Sequence, residues 1–135
     1  MLISADDYYG PHMMQIVVDH MDHIPPLGGF VICYQLPDTV SDFGSVNRGV
    51  CHVLDNKLVS IQEHLSISRK EDGVLSDKNG IALPEDTLVT MLSYCLQKDF
   101  FDAAEPLFQA FLDAKPGPSD EFFLPTVIDD MMRHR

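Results

Sequence analysis

Asp6 and Asp7 close a short apolar run, Leu2-Ile3-Ser4-Ala5, and are followed by Tyr8, Tyr9 and Gly10. Two carboxylates at the end of an apolar strand suit a hard cation such as Mg²⁺, which takes oxygen ligands and keeps several waters, or a phosphate ester held through it. In open α/β sheets ligands bind just beyond the carboxyl ends of the strands, so such a strand would deliver both acids to a binding rim. A plainer task fits the same pair: acids are common at turns and helix starts, where they cap orphan backbone N–H groups.

Other residue types that often do chemistry are less promising. His20 and His23 share a helix face with exposed-type neighbours Asp19 and Asp22, and His12 lies two turns away, so a zinc site is not indicated. Cys33, Cys51 and Cys95 are odd in number, lack metal-ligand spacing and fall in apolar strand-like runs. They read as small buried hydrophobes in a reducing cytosol. No cysteine sits at a helix start or beside basic residues that would activate it.

The elements that position Asp6 and Asp7 follow from periodicity. Pro11 suits a first helical turn, and Met13, Met14, Val17, Val18 and Met21 recur at three- and four-residue spacings, which predicts a helix through about His23. Pro25-Pro26 ends it, and Gly28-Gly29 leads into Phe30-Val31-Ile32-Cys33-Tyr34, a nearly continuous apolar run that fits a strand covered on both faces. A Pro-, Asp-, Ser- and Gly-rich loop over 37–48 precedes a hairpin of 50–54 and 58–63 turning at Asp55-Asn56. Residues 66–87 are polar and turn-rich and predict irregular, mobile structure. Residues 89–96 suggest another core strand. A helix from Asp99 should break or kink at Pro106, and Pro116-Gly117-Pro118 separates it from a last helix over about 120–132.

With 135 residues and 45% hydrophobic content, the chain suits one domain over 1–135 that is large enough to bury a core. Its 21 acidic and 9 basic residues give a formal charge of −12, which disfavours nonspecific binding to nucleic acid or an anionic membrane. No secretory leader is evident and no apolar stretch approaches the roughly 18 residues of a membrane span. The expected location is cytoplasmic.

Four segments, in order, carry a resemblance: Asp6-Asp7-Tyr8-Tyr9-Gly10, Ser45-Val46-Asn47-Arg48-Gly49-Val50-Cys51, Leu58-Val59-Ser60-Ile61-Gln62-Glu63-His64, and Asp120 to Ile128 with its Glu-Phe-Phe-Leu-Pro-Thr-Val core. Together they resemble the sugar-nucleotide pyrophosphorylases and related nucleotidyltransferases, which join a sugar 1-phosphate to a nucleoside triphosphate and release pyrophosphate. The resemblance implies an α/β fold, an incomplete Rossmann-like three-layer sandwich with a mixed, mostly parallel sheet. It implies Asp6 as the catalytic, Mg²⁺-holding carboxylate, helped by Asp7, and Gly49, Glu63 and His64 as contacts to the sugar phosphate.

Departures from the family pattern matter equally. The family's N-terminal glycine-rich loop, which wraps the triphosphate, and its second, C-terminal metal-binding aspartate have no counterpart here. Gly44 to Gly49 imitates the spacing of such a loop but runs into a strand rather than a helix. His64 stands where many members have Lys, and Leu92 with Tyr94-Cys95 stands near an expected Asn and Trp-Gly or Phe-Gly pair. The expectation is therefore a partial nucleotidyltransferase domain, inactive in isolation, that takes a sugar phosphate or nucleotide-sugar if competent. The alternative is a noncatalytic binding or assembly module. In either case, a homo-oligomer or a partner chain is expected to cover the sheet edge at residues 2–5.

Overall fold

The computed structural model describes residues 1–26 and 28–133. Its first helix, α1 (Met13–Met21), buries Met13 and Val17, as the apolar spacing predicts. The expected strand over residues 30–34 is split into β1 (Gly29–Val31) and β2 (Tyr34–Gln35), and a single 3₁₀ turn (Leu36–Thr39) follows. The hairpin is where the sequence puts it, and longer: β3 (Val46–Leu54) pairs with β4 (Lys57–Arg69). Asp55 and Asn56 take φ of 50° and 59°, the left-handed pair that a tight two-residue hairpin requires.

Residues expected to be irregular instead complete the end of β4 and form β5 (Leu75–Ser76) and β6 (Ala82–Leu83). The expected strand over 89–96 is two strands, β7 (Leu88–Thr90) and β8 (Tyr94–Leu96). Two helices follow, α2 (Asp99–Asp113) and α3 (Leu124–Arg133). Pro106 lies inside α2 without ending it, so of the expected break or kink the break does not occur.

The mostly parallel Rossmann-like sheet is not what forms. Among the described residues every strand pair is antiparallel, in a two-stranded sheet β1-β8 and a six-stranded sheet β2-β7-β3-β4-β5-β6 that curls into a half-barrel. The physical reason lies in the connections. Parallel neighbours need a crossover of a dozen or more residues, whereas β3 and β4 are joined by a tight turn and β4, β5 and β6 by short loops.

The apolar segment at residues 2–5 contributes one bridge, with Leu2 opposite Tyr94 through N···O distances of 2.7 and 3.0 Å. Because Tyr94 also faces Val31, the antiparallel β8 sits between the Leu2 segment and β1, which run parallel to each other across it. One face of this small sheet is covered by α1, whose Met13 and Val17 pack with Tyr9 and with Cys95 of β8. On the other face Tyr94 packs with Phe100 of α2 and with Val127 and Ile128 of α3, in a core that reaches Cys51 and Ile61 of the larger sheet. A separate core of Leu36, Val50, Ile67, Leu75, Leu83 and Val89 fills the half-barrel.

Candidate functional site

The segment carrying the two acids is tied down by its second tyrosine. Tyr9 is buried, accepts from the Ser4 amide at 2.7 Å and donates to the Met91 carbonyl at 2.8 Å, while Tyr34 donates to the Tyr9 carbonyl at 3.1 Å. Residues 4–9 therefore loop out from the sheet and return to the turn between β7 and β8. Asp6, Asp7 and Tyr8 are exposed on that loop, and the Ser4 hydroxyl donates to the Asp6 carboxylate. Burial pushes the Tyr9 phenol up in pKa; the Ser4 amide opposes this, and the charges of Asp7 and Asp6 add to it.

Gly49 lies on the inner strand β3, opposite Glu63 of β4 on one side and Thr90 of β7 on the other. Its amide is thus directed along the sheet to a neighbouring strand. It needs no unusual backbone angle, since among the described residues positive φ at glycine occurs only at Gly10, Gly73 and Gly80. What it needs is the absence of a side chain. A Cβ there would lie 3.0 Å from Thr90 Cγ2, 3.1 Å from Ile61 Cδ1 and 3.2 Å from Pro125 Cγ. Pro125 at the start of α3 therefore seats in the space over Gly49, and Asp129 one turn on accepts from the Ile61 amide at 2.9 Å, pinning the helix to β4.

Glu63 and His64, adjacent in the sequence, part company because successive strand residues point to opposite faces. Glu63 is half-buried, and burial lifts its carboxyl to about 7, opposed by Arg48 and assisted by Glu121. His64 is buried, with Nδ1 2.9 Å from Asp77 Oδ2. Burial disfavours the Asp77 charge, yet the amides of Ile81 and Asn79 together with His64 outweigh it and hold Asp77 below the usual carboxylate range. His64 thus ties β4 through Asp77 to the loop between β5 and β6.

Two residues missed in the sequence join the site. Arg48 directs Nη2 to the Thr39 carbonyl at 2.6 Å and Nη1 to the Asn47 carbonyl at 2.8 Å. Burial weakens its hold on the proton, while the charges of Asp7, then Glu63, then Tyr9 strengthen it. Glu121 acts on Glu63 from the segment before α3. A signal for Arg48 was present: it is the sole cation between Met1 and Asn56, in a chain whose acids flank it on both sides.

Asp7 and Asp6 thus act on Tyr9, Asp7, Glu63 and Tyr9 act on Arg48, and Glu121 acts on Glu63, with Gly49, opposite Glu63, as a packing position. Among the described residues no group of three or more His, Cys, Asp or Glu could hold a metal. Asp6 and Asp7 alone therefore fit a cation that keeps most of its water or takes oxygens from a substrate. An apolar cavity of about 690 Å³ lies elsewhere, walled by Phe30, Val31, Leu58, Leu96, Phe100 and Met131. Among the described residues no helix is long and apolar enough to cross a membrane. No protein-family model matches the chain, and no curated protein matches it.

Proposed function

We propose that this chain is a sugar-phosphate-binding part of a nucleotidyltransferase-type domain, related to enzymes that join a sugar 1-phosphate to a nucleoside triphosphate and release pyrophosphate, and that it does not turn over alone. One observation supports the reading: the four segments of the resemblance, two of which are the strands of one hairpin, adjoin in space. Asp7 acts on Arg48, Gly49 pairs with Glu63, and Pro125 packs over Gly49. Leu92, near which the family pattern has an Asn, takes φ of 58°, a conformation that Asn tolerates better than Leu.

In this reading Asp6 and Asp7 would hold Mg²⁺, which would supply charge neutralisation for a bound phosphate. Glu63, once ionised, accepts from sugar hydroxyls, and Arg48 balances the carboxylates around it. Catalysis of this type rests on positioning and electrostatics, and a triphosphate also needs a loop of backbone amides running into a helix N-terminus. The segment Gly44 to Gly49 enters β3 instead, which is why turnover is not expected. The same observation favours a second reading, a noncatalytic binding or assembly module.

Calorimetric titration with glucose 1-phosphate and Mg²⁺ tests the proposal. The expected result is weak binding, on the order of millimolar, that is reduced in Asp6→Ala, with pyrophosphate release from nucleoside triphosphates at background. Wild-type protein that ignores sugar phosphates would refute the sugar-phosphate reading. Turnover that vanishes in Asp6→Ala would instead reveal a working triphosphate site.

A further inference from the structure

Arg48 stands out from the other described arginines by what it lacks. Arg69 pairs with Glu85, and Arg133 pairs with Asp129. Arg48 makes no ion pair among the described residues, although two of the acids nearest to it in the fold, Asp7 and Glu63, act on it through space. Its guanidinium carries five N–H donors, and two are committed to the carbonyls of Thr39 and Asn47. Three remain, of which the one on Nε is fully shielded from solvent and has no partner.

An unpaired buried donor is costly, by about 1–3 kcal/mol for a neutral group and more for a charged one. Most buried polar groups in native structures have a partner, so one without it calls for an explanation. The two carbonyls fix the plane of the guanidinium, and Thr39 is itself held, donating from Oγ1 to the Leu36 carbonyl at 3.0 Å. A planar cation clamped by main-chain carbonyls, with donors left over and no carboxylate paired to it, is arranged to receive a tetrahedral oxyanion through charge-assisted bonds.

We propose that Arg48 is the anion-binding residue of this site and that its ligand is a phosphate monoester, received by the Nη N–H groups that Thr39 and Asn47 leave free. Asp7 and Glu63 set the selectivity. They repel an anion that arrives without compensating contacts, so the site favours a ligand whose hydroxyls also satisfy a carboxylate. The sugar portion of the ligand rests on the reading under Proposed function; the phosphate contact rests on Arg48 alone.

The test follows the arginine Nε–H resonances of ¹⁵N-labelled full chain during titration with inorganic phosphate and, separately, with glucose 1-phosphate. Arg48→Met and Arg48→Lys are compared after circular dichroism has established that they fold. The expected result is a saturating shift of the Arg48 Nε–H with phosphate. Affinity should fall about tenfold or more in Arg48→Met and by less in Arg48→Lys, which keeps the charge without the fork. A wild-type Nε–H that does not move, or Arg48→Met binding within about twofold of wild type, overturns the proposal. Should Arg48→Met fail to fold, the wild-type resonance and Arg48→Lys decide. Phosphate binding through Arg48 with no gain for the sugar phosphate upholds the anion site and removes the sugar from the Proposed function, so the two failures are distinguishable.

Discussion

Glu63 carries its carboxyl half-buried at about pKa 7, with burial as the leading cause, against an unfolded value near 4.3. The folded state therefore binds a proton more tightly than the unfolded state. For a carboxyl raised in this way stability is greatest below the unfolded pKa, falls between about 4.3 and 7, and stays reduced above that. Glu63→Gln removes the charged form. It should leave the thermal midpoint nearly unchanged at pH 4 and raise stability at pH 8 by about 1 kcal/mol after allowance for solvent screening. Thermal melts across that range check this, and a wild-type stability that does not decline between pH 5 and 8 would show the carboxyl to be ordinary. Gly49 makes a steric claim of the same local kind. Gly49→Ala must displace Thr90, Ile61 or Pro125, at a cost of about 1–3 kcal/mol typical of an overpacked core. Pro125→Ala should return part of that loss when combined with it, and urea unfolding of the two single variants and the double variant measures the coupling.

Elements were legible where local chemistry decides them. Asp55-Asn56 announces the hairpin because both residues tolerate the left-handed conformation the turn needs, and α1 is announced by the spacing of Met13 and Val17. Strand direction was not legible. A continuous apolar run means burial on both faces, which parallel strands usually have. Here the antiparallel β8 has it too, lying between α1 and the α2–α3 layer. The resemblance supplied the rest of the parallel expectation. The interruption between β7 and β8 was equally invisible, because Met91 and Leu92 are as apolar as their neighbours. Leu92 takes φ of 58° there while 40% exposed, and the hydroxyls of Thr90 and Ser93 meet across the bend at 3.2 Å. A left-handed residue with a Cβ costs about 1–2 kcal/mol, which Asn partly escapes by local hydrogen bonding. Leu92→Asn should accordingly stabilise the chain by about 0.5–1 kcal/mol in urea unfolding, whereas Leu92→Val, β-branched, should destabilise it. A neutral Leu92→Asn would mean that the exposed leucine makes contacts worth as much as the strain. The site shows the same division: Asp6, Asp7 and Glu63 were readable as acids in motif-like segments, but the role of Arg48 depends on where the 3₁₀ turn places the Thr39 carbonyl, which no spacing reveals.

At the scale of the whole molecule, a formal charge of −12 opposes close approach of two copies, while its N-terminal flank invites it. Leu2 is bridged to Tyr94 on one side, and among the described residues no strand pairs on its other side. Ile3 is 46% exposed, and Met14, Ile16, Val18 and Met21 are exposed on the neighbouring α1. An open strand edge offers unpaired N–H and C=O groups to another chain, and the exposed apolar side chains of α1 add a hydrophobic drive. Charge repulsion between copies acts over the Debye length, about 30 Å at 0.01 M ionic strength and about 8 Å at 0.15 M. Self-association should therefore be suppressed in dilute buffer and grow with added salt, the reverse of an assembly held by ion pairs. Light scattering during size exclusion at both ionic strengths reads this directly. Ile3→Lys places a charge on the edge and should hold the protein monomeric at 0.15 M salt, while Lys115→Ala, which changes charge far from the edge in sequence, should not. A wild-type chain that remains monomeric at the higher salt would mean the edge is already protected. Association unaffected by Ile3→Lys would move the contact to the exposed face of α1, where Val18→Lys would be the substitution that disperses it.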